Sequence, residues 1–368
     1  MSRILSFPGF LDVHVHFRDP GGPEAETTAS GLAAAGRGGF AAVVTMPNTS
    51  PACDSPELIA YQREAAAASG SPVKLYPSAC LTKGRLGNEV ADLERLAEAG
   101  AALFTDDGSY VADDRVMEEA MRRAARLGMT VADHAMDPSV LAHGVIRDCP
   151  LARRLELPVI APETETKAIG RDLSLCRMTG CPLHIQHIST AEGVEMIRSA
   201  QREGLPVTAE ATPHHLLFAC EELSADDARY KMAPPVGNRE DRAELRRAVK
   251  EGVLLFATDH APHPAATKAG GFRTSANGIT GLEAAVAVTY TVMVVEEGME
   301  PAAWARAWTD APRALLRNPL CPPPAALPET RIEIGGEWTF SLADSVSRSR
   351  NCPYDGYRAA CRVLRCPA

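Results

Sequence analysis

A chain of 368 residues, 45% of them hydrophobic, has room for roughly two or three average domains, or for one barrel-sized domain of about 250 residues with an appendage. Its formal charge of −9 and pI near 5.6 exclude a surface built for nucleic acid or for an anionic membrane, and leave a small molecule or another protein as the partner. Ten cysteines run from Cys53 to Cys366 without a Cys-x-x-Cys pair, and no secretory leader stands ahead of Pro8, which reads as reduced thiols in the cytoplasm.

The first strong element is the run 10–16. Leu11, Val13 and Val15 alternate with Asp12, His14 and His16, so a strand here sets both histidines on one face and the aliphatics on the other. Two neutral imidazoles side by side form a metal-ligand pair, and a polar face of this kind is costly to bury without a partner.

Seven further short runs rich in Val, Ile, Leu, Phe and Ala follow at 41–48, 73–79, 101–107, 130–134, 183–189, 206–212 and 253–260. Between most of them lie Ala-, Glu- and Arg-rich stretches of helical period. The stretches 55–68, 89–99, 113–127 and 239–250 have charged outer faces, and Gly70, Gly100, Gly128 and Gly252 stand as their stops. Strands alternating with helices imply a parallel sheet, and eight of them imply a closed (β/α)8 TIM-type barrel.

The stretch 137–162 holds four prolines, too many for one helix, and is expected to run over the barrel rim. The apolar run 284–295 is too short to span a membrane and reads as a buried helix. After Pro319 a Pro-rich linker leads to two strand-like runs, 331–340 and 357–364. The expected organisation is a barrel over 8–319, with a minimal N-terminal segment, 1–7, and the tail, 320–368, forming a small β appendage.

Seven of the eight runs finish in polar residues such as His14-x-His16, Asn48, Asp107, His134, His187, His214 or Asp259. In such a barrel the C-terminal strand ends carry the site, so these side chains are expected to converge on one mouth. His14, His16, Asp107, His134, His187 and Asp259 supply four imidazoles and two carboxylates. That is the ligand set of a divalent-metal hydrolase, suited to one or two zinc ions. A lone histidine at any of these positions would more often be a core residue; six ligands at one end make that explanation weak.

At this point the sequence resembles the amidohydrolase superfamily and, within it, the dihydroorotases. The resemblance rests on Asp-Val-His-Val-His-Phe-Arg-Asp-Pro-Gly (12–21), Met-Pro-Asn-Thr (46–49), Phe-Thr-Asp-Asp-Gly (104–108), His-Ile-Ser-Thr (187–190), Glu-Ala-Thr-Pro-His-His-Leu (210–216) and Ala-Thr-Asp-His-Ala-Pro-His (257–263), with a weaker echo in Asn-Cys-Pro-Tyr-Asp-Gly (351–356). It implies that His14, His16 and Asp259 hold one metal and His134 and His187 a second. Many superfamily members bridge the pair with a carboxylated lysine on the fourth strand. This chain has none there and resembles the subgroup that uses an aspartate, where spacing favours Asp107 over Asp106.

The resemblance further implies that Arg18, Asn48 and His263 grip a substrate carboxylate, and that the substrate is dihydroorotate, opened reversibly to N-carbamoyl-L-aspartate in pyrimidine biosynthesis. A metal-activated hydroxide would attack the ring amide, with Asp259 as the catalytic base and acid. Two departures stand out. The asparagine expected to touch the ring is Ala233, with Asn277 as its candidate replacement, and His134 is followed by Ala135 and Met136 where an acidic residue is usual. A homo-oligomer is expected, and a complex with aspartate transcarbamoylase is a partnership known among relatives. The alternatives are another cyclic amidase, allantoinase- or hydantoinase-like, and an inactive scaffold for that transcarbamoylase; the missing strand-four lysine argues against the first and the six retained ligands against the second.

Overall fold

The computed structural model describes residues 2–141, 143–320, 322–323 and 326–364. Among the described residues there are eleven strands: β1 (Arg3–Phe7), β2 (Phe10–Val15), β3 (Phe40–Thr45), β4 (Lys74–Pro77), β5 (Phe104–Thr105), β6 (Val131–Asp133), β7 (Leu183–Ile185), β8 (Val207–Ala211), β9 (Leu255–Phe256), β10 (Thr330–Thr339) and β11 (Arg358–Leu364). Strands β2 to β4 and β5 to β9 form two parallel sheets.

Backbone bridges join these two sheets at both seams. Ala79, just past β4, pairs with Phe104, and Val15 pairs with His260, just past β9. Across the second seam the His16 amide donates to the His260 carbonyl at 2.8 Å, while Asp12 accepts from the Thr258 amide (3.0 Å) and hydroxyl (2.5 Å). Eight strands thus go round a barrel, as the alternating pattern implies.

The helices form where the sequence places them. Pro56–Ala68, Leu93–Glu98, Asp114–Leu127 and Arg239–Glu251 follow β3, β4, β5 and β8, and Gly70, Gly100, Gly128 and Gly252 all take the left-handed conformation beyond them. Strand residues such as Phe10, Phe40, Val43 and Phe256 pack with Leu32, Ile59, Met117, Ile197 and Leu245 of the helices in one apolar core. Strand β2 is buried on both faces, as the inner strand of a covered parallel sheet must be.

The apolar run 284–295 is helical but not uniformly so. Ala285–Thr289 widens into a π-helical turn over Tyr290–Glu296. At the junction the Thr289 hydroxyl bonds back to Ala285 and Val286 and lies 3.2 Å from both the Trp304 and the Trp308 indole N–H. Among the described residues, no helix is long and apolar enough to cross a membrane, and the cysteines are free and buried.

The rim stretch 137–162 is more ordered than its prolines imply. Short helices Pro138–Leu141 and Pro150–Arg154 flank a bridge between Ile146 and Val159, over a small apolar cluster of Ile146, Cys149, Leu151, Leu157 and Phe272. Strands β1, β10 and β11 form a separate antiparallel sheet built from the two ends of the described chain.

Candidate active site

The barrel places its polar strand ends in one mouth. His14 lies in the last two residues of β2, which ends at Val15, and His16 follows it; Asp107, His134, His187 and Asp259 stand just past β5, β6, β7 and β9. Asp107 is the hub. Its Oδ1 lies 3.3 Å from His14 Nε2, 3.7 Å from His134 Nδ1 and 3.9 Å from His187 Nε2, and its Oδ2 lies 3.4 Å from His16 Nε2. Asp259 Oδ1 is 3.0 Å from His16 Nε2 and 3.5 Å from His14 Nε2, and His134 Nδ1 faces His187 Nε2 at 2.8 Å.

All six expected ligands therefore meet. Two groups have donor atoms within 4.8 Å of one another: His14 with His16 and Asp259, and His14 with Asp107 and His187. His14 belongs to both, where the family resemblance implied the first alone. Asp106 points elsewhere, accepting from the amides of Leu81 (2.9 Å) and Thr82 (3.1 Å) and from the Thr82 hydroxyl.

The residues fit a divalent cation. His14 Nδ1 is 2.5 Å from Glu210 Oε1, and since an ionised carboxylate only accepts, Nδ1 carries an N–H, which leaves Nε2 as the ligating nitrogen of the neutral ring. That buried Nε2 has no hydrogen-bond partner, and neither does the buried Asp107 Oδ1 beside it. Orphaned donor atoms of this kind are costly unless a ligand takes them up.

The charge balance points the same way. Burial raises the Asp107 and Asp259 carboxyls, but the imidazoles of His14 and His16 outweigh it and hold both below the usual carboxylate range. Burial lowers His14, yet Glu210, Asp107 and Asp259 lift it well above its ordinary value. His187 falls to about 3 through burial and its neighbour His134, so it is neutral and free to ligate. A cluster whose carboxylates draw even a buried imidazole toward its charged form is a seat for a positive ion.

Glu210 carries no role in the sequence reading, although it lies within one of the motifs. It spans the barrel interior, reaching His14, His184 (2.9 Å) and the His187 amide (3.1 Å). The available signal was a single buried carboxylate on the short strand β8. His214, which the strand pattern also brought forward, is buried on the helix Pro213–Leu217 and does not line the mouth.

Above the cluster opens a cavity of ≈ 580 Å³ lined by Arg18, Asn48, His263 and Asn277, among others. Arg18 has φ 55° and turns its guanidinium inward: Nε donates to the Pro262 carbonyl (3.2 Å) and Nη2 lies 3.5 Å from His263 Nε2. It does not pair with Asp19, whose carboxylate is taken by the Tyr61 hydroxyl and the Thr28 amide. His187 (φ 33°) and Asp259 (φ 48°) share this strained left-handed backbone, which clusters at functional sites.

Asn48 lines the same cavity, and its amide also faces His16 Nδ1 (2.8 Å) and Asp107 Oδ2 (3.4 Å), so it orients the ligand cluster as well. His263 Nε2 donates to the Asn277 carbonyl at 2.6 Å, and burial followed by Arg18 pushes its pKa down to about 4. Ala233 and Met136, the two departures, both line the cavity together with Leu141 and Ile160 of the rim stretch.

Comparison with known proteins agrees with this architecture. The sequence profile described as dihydro-orotase-like matches residues 3–193. A dihydroorotase from Thermus aquaticus is 40% identical over 368 residues, covering 95% of this chain and 84% of that protein. Among solved structures, an L-hydantoinase (dihydropyrimidinase) from Arthrobacter aurescens superposes with a TM-score of 0.83 at 21% identity, covering 99% of this chain and 84% of that one. A dihydroorotase from Saccharomyces cerevisiae in complex with 5-fluoroorotic acid superposes with a TM-score of 0.76 at 14% identity, over all of both chains.

Proposed function

The chain belongs to the dihydroorotase-like family of amidohydrolases, and on that premise we propose that its barrel mouth opens the ring amide of (S)-dihydroorotate to N-carbamoyl-L-aspartate and closes it again for pyrimidine synthesis. The observation that supports this most is an adjacency. One cavity holds the imidazole–carboxylate cluster and, beside it, the guanidinium of Arg18 with no carboxylate bonded to it.

In this reading His14, His16, Asp107, His134, His187 and Asp259 hold one or two zinc ions, which imidazole and carboxylate donors suit. Zinc, when bound, supplies Lewis acidity toward water and the ring carbonyl. Arg18 clamps the substrate carboxylate, a task for which a planar guanidinium is shaped, while His263 orients it, Asn48 fixes its near edge and Asn277 touches the ring in place of the asparagine missing at Ala233. Asp259 is ionised at neutral pH, so one of its oxygens can accept the proton released as water attacks and return it to the departing amide nitrogen. The rim side chains Met136, Leu141 and Ile160 exclude bulk water from that transfer. The catalytic unit is the barrel over 8–319, and the cytoplasm is its place of work.

The test is turnover by the purified, zinc-loaded protein of dihydroorotate against allantoin, hydantoin and dihydrouracil, with Asp259→Ala as control. Dihydroorotate is preferred, and the variant loses on the order of 10²- to 10⁴-fold in rate, the usual weight of a general base. Preference for another ring, or equal activity in the variant, overturns the reading.

A further inference from the structure

The motif Asn351-Cys-Pro-Tyr-Asp-Gly takes no part in the chemistry described so far, yet its first residue reaches the site's supporting backbone. Asn351 is 4% exposed. Its Nδ2 donates to the carbonyls of Ala261 (3.0 Å) and Gly278 (3.1 Å), and its Oδ1 accepts from the His263 amide (3.2 Å). Its own carbonyl accepts from the Thr280 amide at 3.0 Å. One residue of the C-terminal segment thus satisfies both arms of the loop after β9.

Those two arms carry His263, proposed to meet the substrate carboxylate, and Asn277, proposed to meet the ring. The first runs from Asp259 to His263 and the second contains Asn277 and Gly278; they touch through Ala261 N–H to Ile279 carbonyl (2.8 Å) and His263 Nε2 to Asn277 carbonyl (2.6 Å). They approach so closely that a Cβ on Gly278, which sits at φ +128°, would lie 2.8 Å from Ala261 Cβ and 2.9 Å from His263 Nε2. The Gly278 carbonyl also accepts from Lys268 Nζ at 2.8 Å. Removing the Asn351 amide therefore leaves Gly278 with a partner but strips Ala261 and the His263 amide of theirs. The loss falls on the His263 arm.

Asn351 itself is held in place by the barrel. Ser349 Oγ donates to the Ala25 carbonyl (2.7 Å), the Arg348 amide to Glu26 Oε1 (3.2 Å) and the Val346 amide to Glu283 Oε1 (3.1 Å). Cys352 and Tyr354 on its other side are buried. The segment is a strap pinned to the first and last barrel units.

We propose that Asn351 is a positioning residue for the substrate carboxylate: through Ala261, His263 and Gly278 it fixes the spacing between His263 and Asn277 and so sets how tightly the ring is held. It does not line the cavity and touches no substrate atom. The inference rests on the reading that His263 meets the carboxylate and Asn277 the ring.

The test compares full-length, zinc-loaded wild type with Asn351→Ala and Asn351→Ser, measuring KM and kcat for dihydroorotate, metal per chain and Tm. Asn351→Ala raises KM on the order of tenfold, the size expected for stranding buried polar groups, while kcat stays within about twofold and the metal content is unchanged. Asn351→Ser, which keeps one donor, falls between; if the alanine variant does not fold, the serine variant carries the test. An unchanged KM, or a parallel fall in kcat, metal content and Tm with KM constant, overturns the positioning role and leaves the activity standing. A wild type that binds zinc but does not turn over dihydroorotate overturns the reading beneath it instead.

Discussion

The two sides of the barrel mouth are built by different means. The imidazole–carboxylate cluster stands at strand ends or just past them, close to the sheet; of the proposed substrate contacts, His263 and Asn277 lie farther out on the loop after β9 and depend on Lys268 and Asn351 for their spacing. A strand end is positioned by its neighbours in the ladder, whereas a loop residue needs anchors of its own. Damage to the first side should therefore remove chemistry and metal together, and damage to the second should weaken substrate binding while the metal stays.

The largest effect tests the first half of that contrast. Stripping the protein with a chelator abolishes turnover, and zinc restores it; Asp107→Asn, which weakens the hub facing four imidazoles, lowers metal per chain and kcat together. Atomic absorption alongside the assay reads both, and an Asp107→Asn protein with full metal and full activity breaks the comparison. Next comes Glu210→Gln. Losing the carboxylate behind His14 costs about 10- to 100-fold in zinc affinity, the usual weight of a partner behind a ligand, as measured by competition with a chromophoric chelator.

On the other side, Arg18→Lys keeps the charge but loses the planar fork. KM for dihydroorotate rises roughly 10- to 100-fold, since hydrogen bonds between charged groups are worth about 1.5–3 kcal/mol, with metal per chain unchanged. A fall in metal content would show that the two sides are not separable. The smallest effect on activity belongs to the seam between β2 and β9. Asp12→Ala strands the buried Thr258 hydroxyl and amide and costs about 1–3 kcal/mol of stability, seen as a lower Tm in chemical or thermal melts.

This contrast also explains what could be read from the sequence. The barrel and the meeting of His14, His16, Asp107, His134, His187 and Asp259 in one mouth were legible because strands announce themselves by short apolar runs, and a parallel barrel brings their C-terminal ends together whatever lies between. The glycine stops after the helices were legible for a local reason, the left-handed turn each one makes. Glu210 was not: its partners His14 and His184 lie on other strands, and nothing in the spacing of β8 names them. The choice between Asp106 and Asp107 turns on which carboxylate Thr82 draws away, a contact made by the loop after β4. Asn351 lies 88 residues from His263 along the chain, and only the docked strap reveals that the two are bonded. The π-turn at Tyr290–Glu296 depends likewise on a hydroxyl that meets two distant indoles.

The most direct test follows one sample through a metal titration. Chelator-treated protein is titrated with zinc while ring opening of dihydroorotate and bound metal are recorded at each step. The account predicts that activity rises from zero in proportion to the zinc that the His14–His16–Asp107–His134–His187–Asp259 cluster takes up. Full activity before any metal is bound, or full occupancy with no turnover of dihydroorotate, would contradict it.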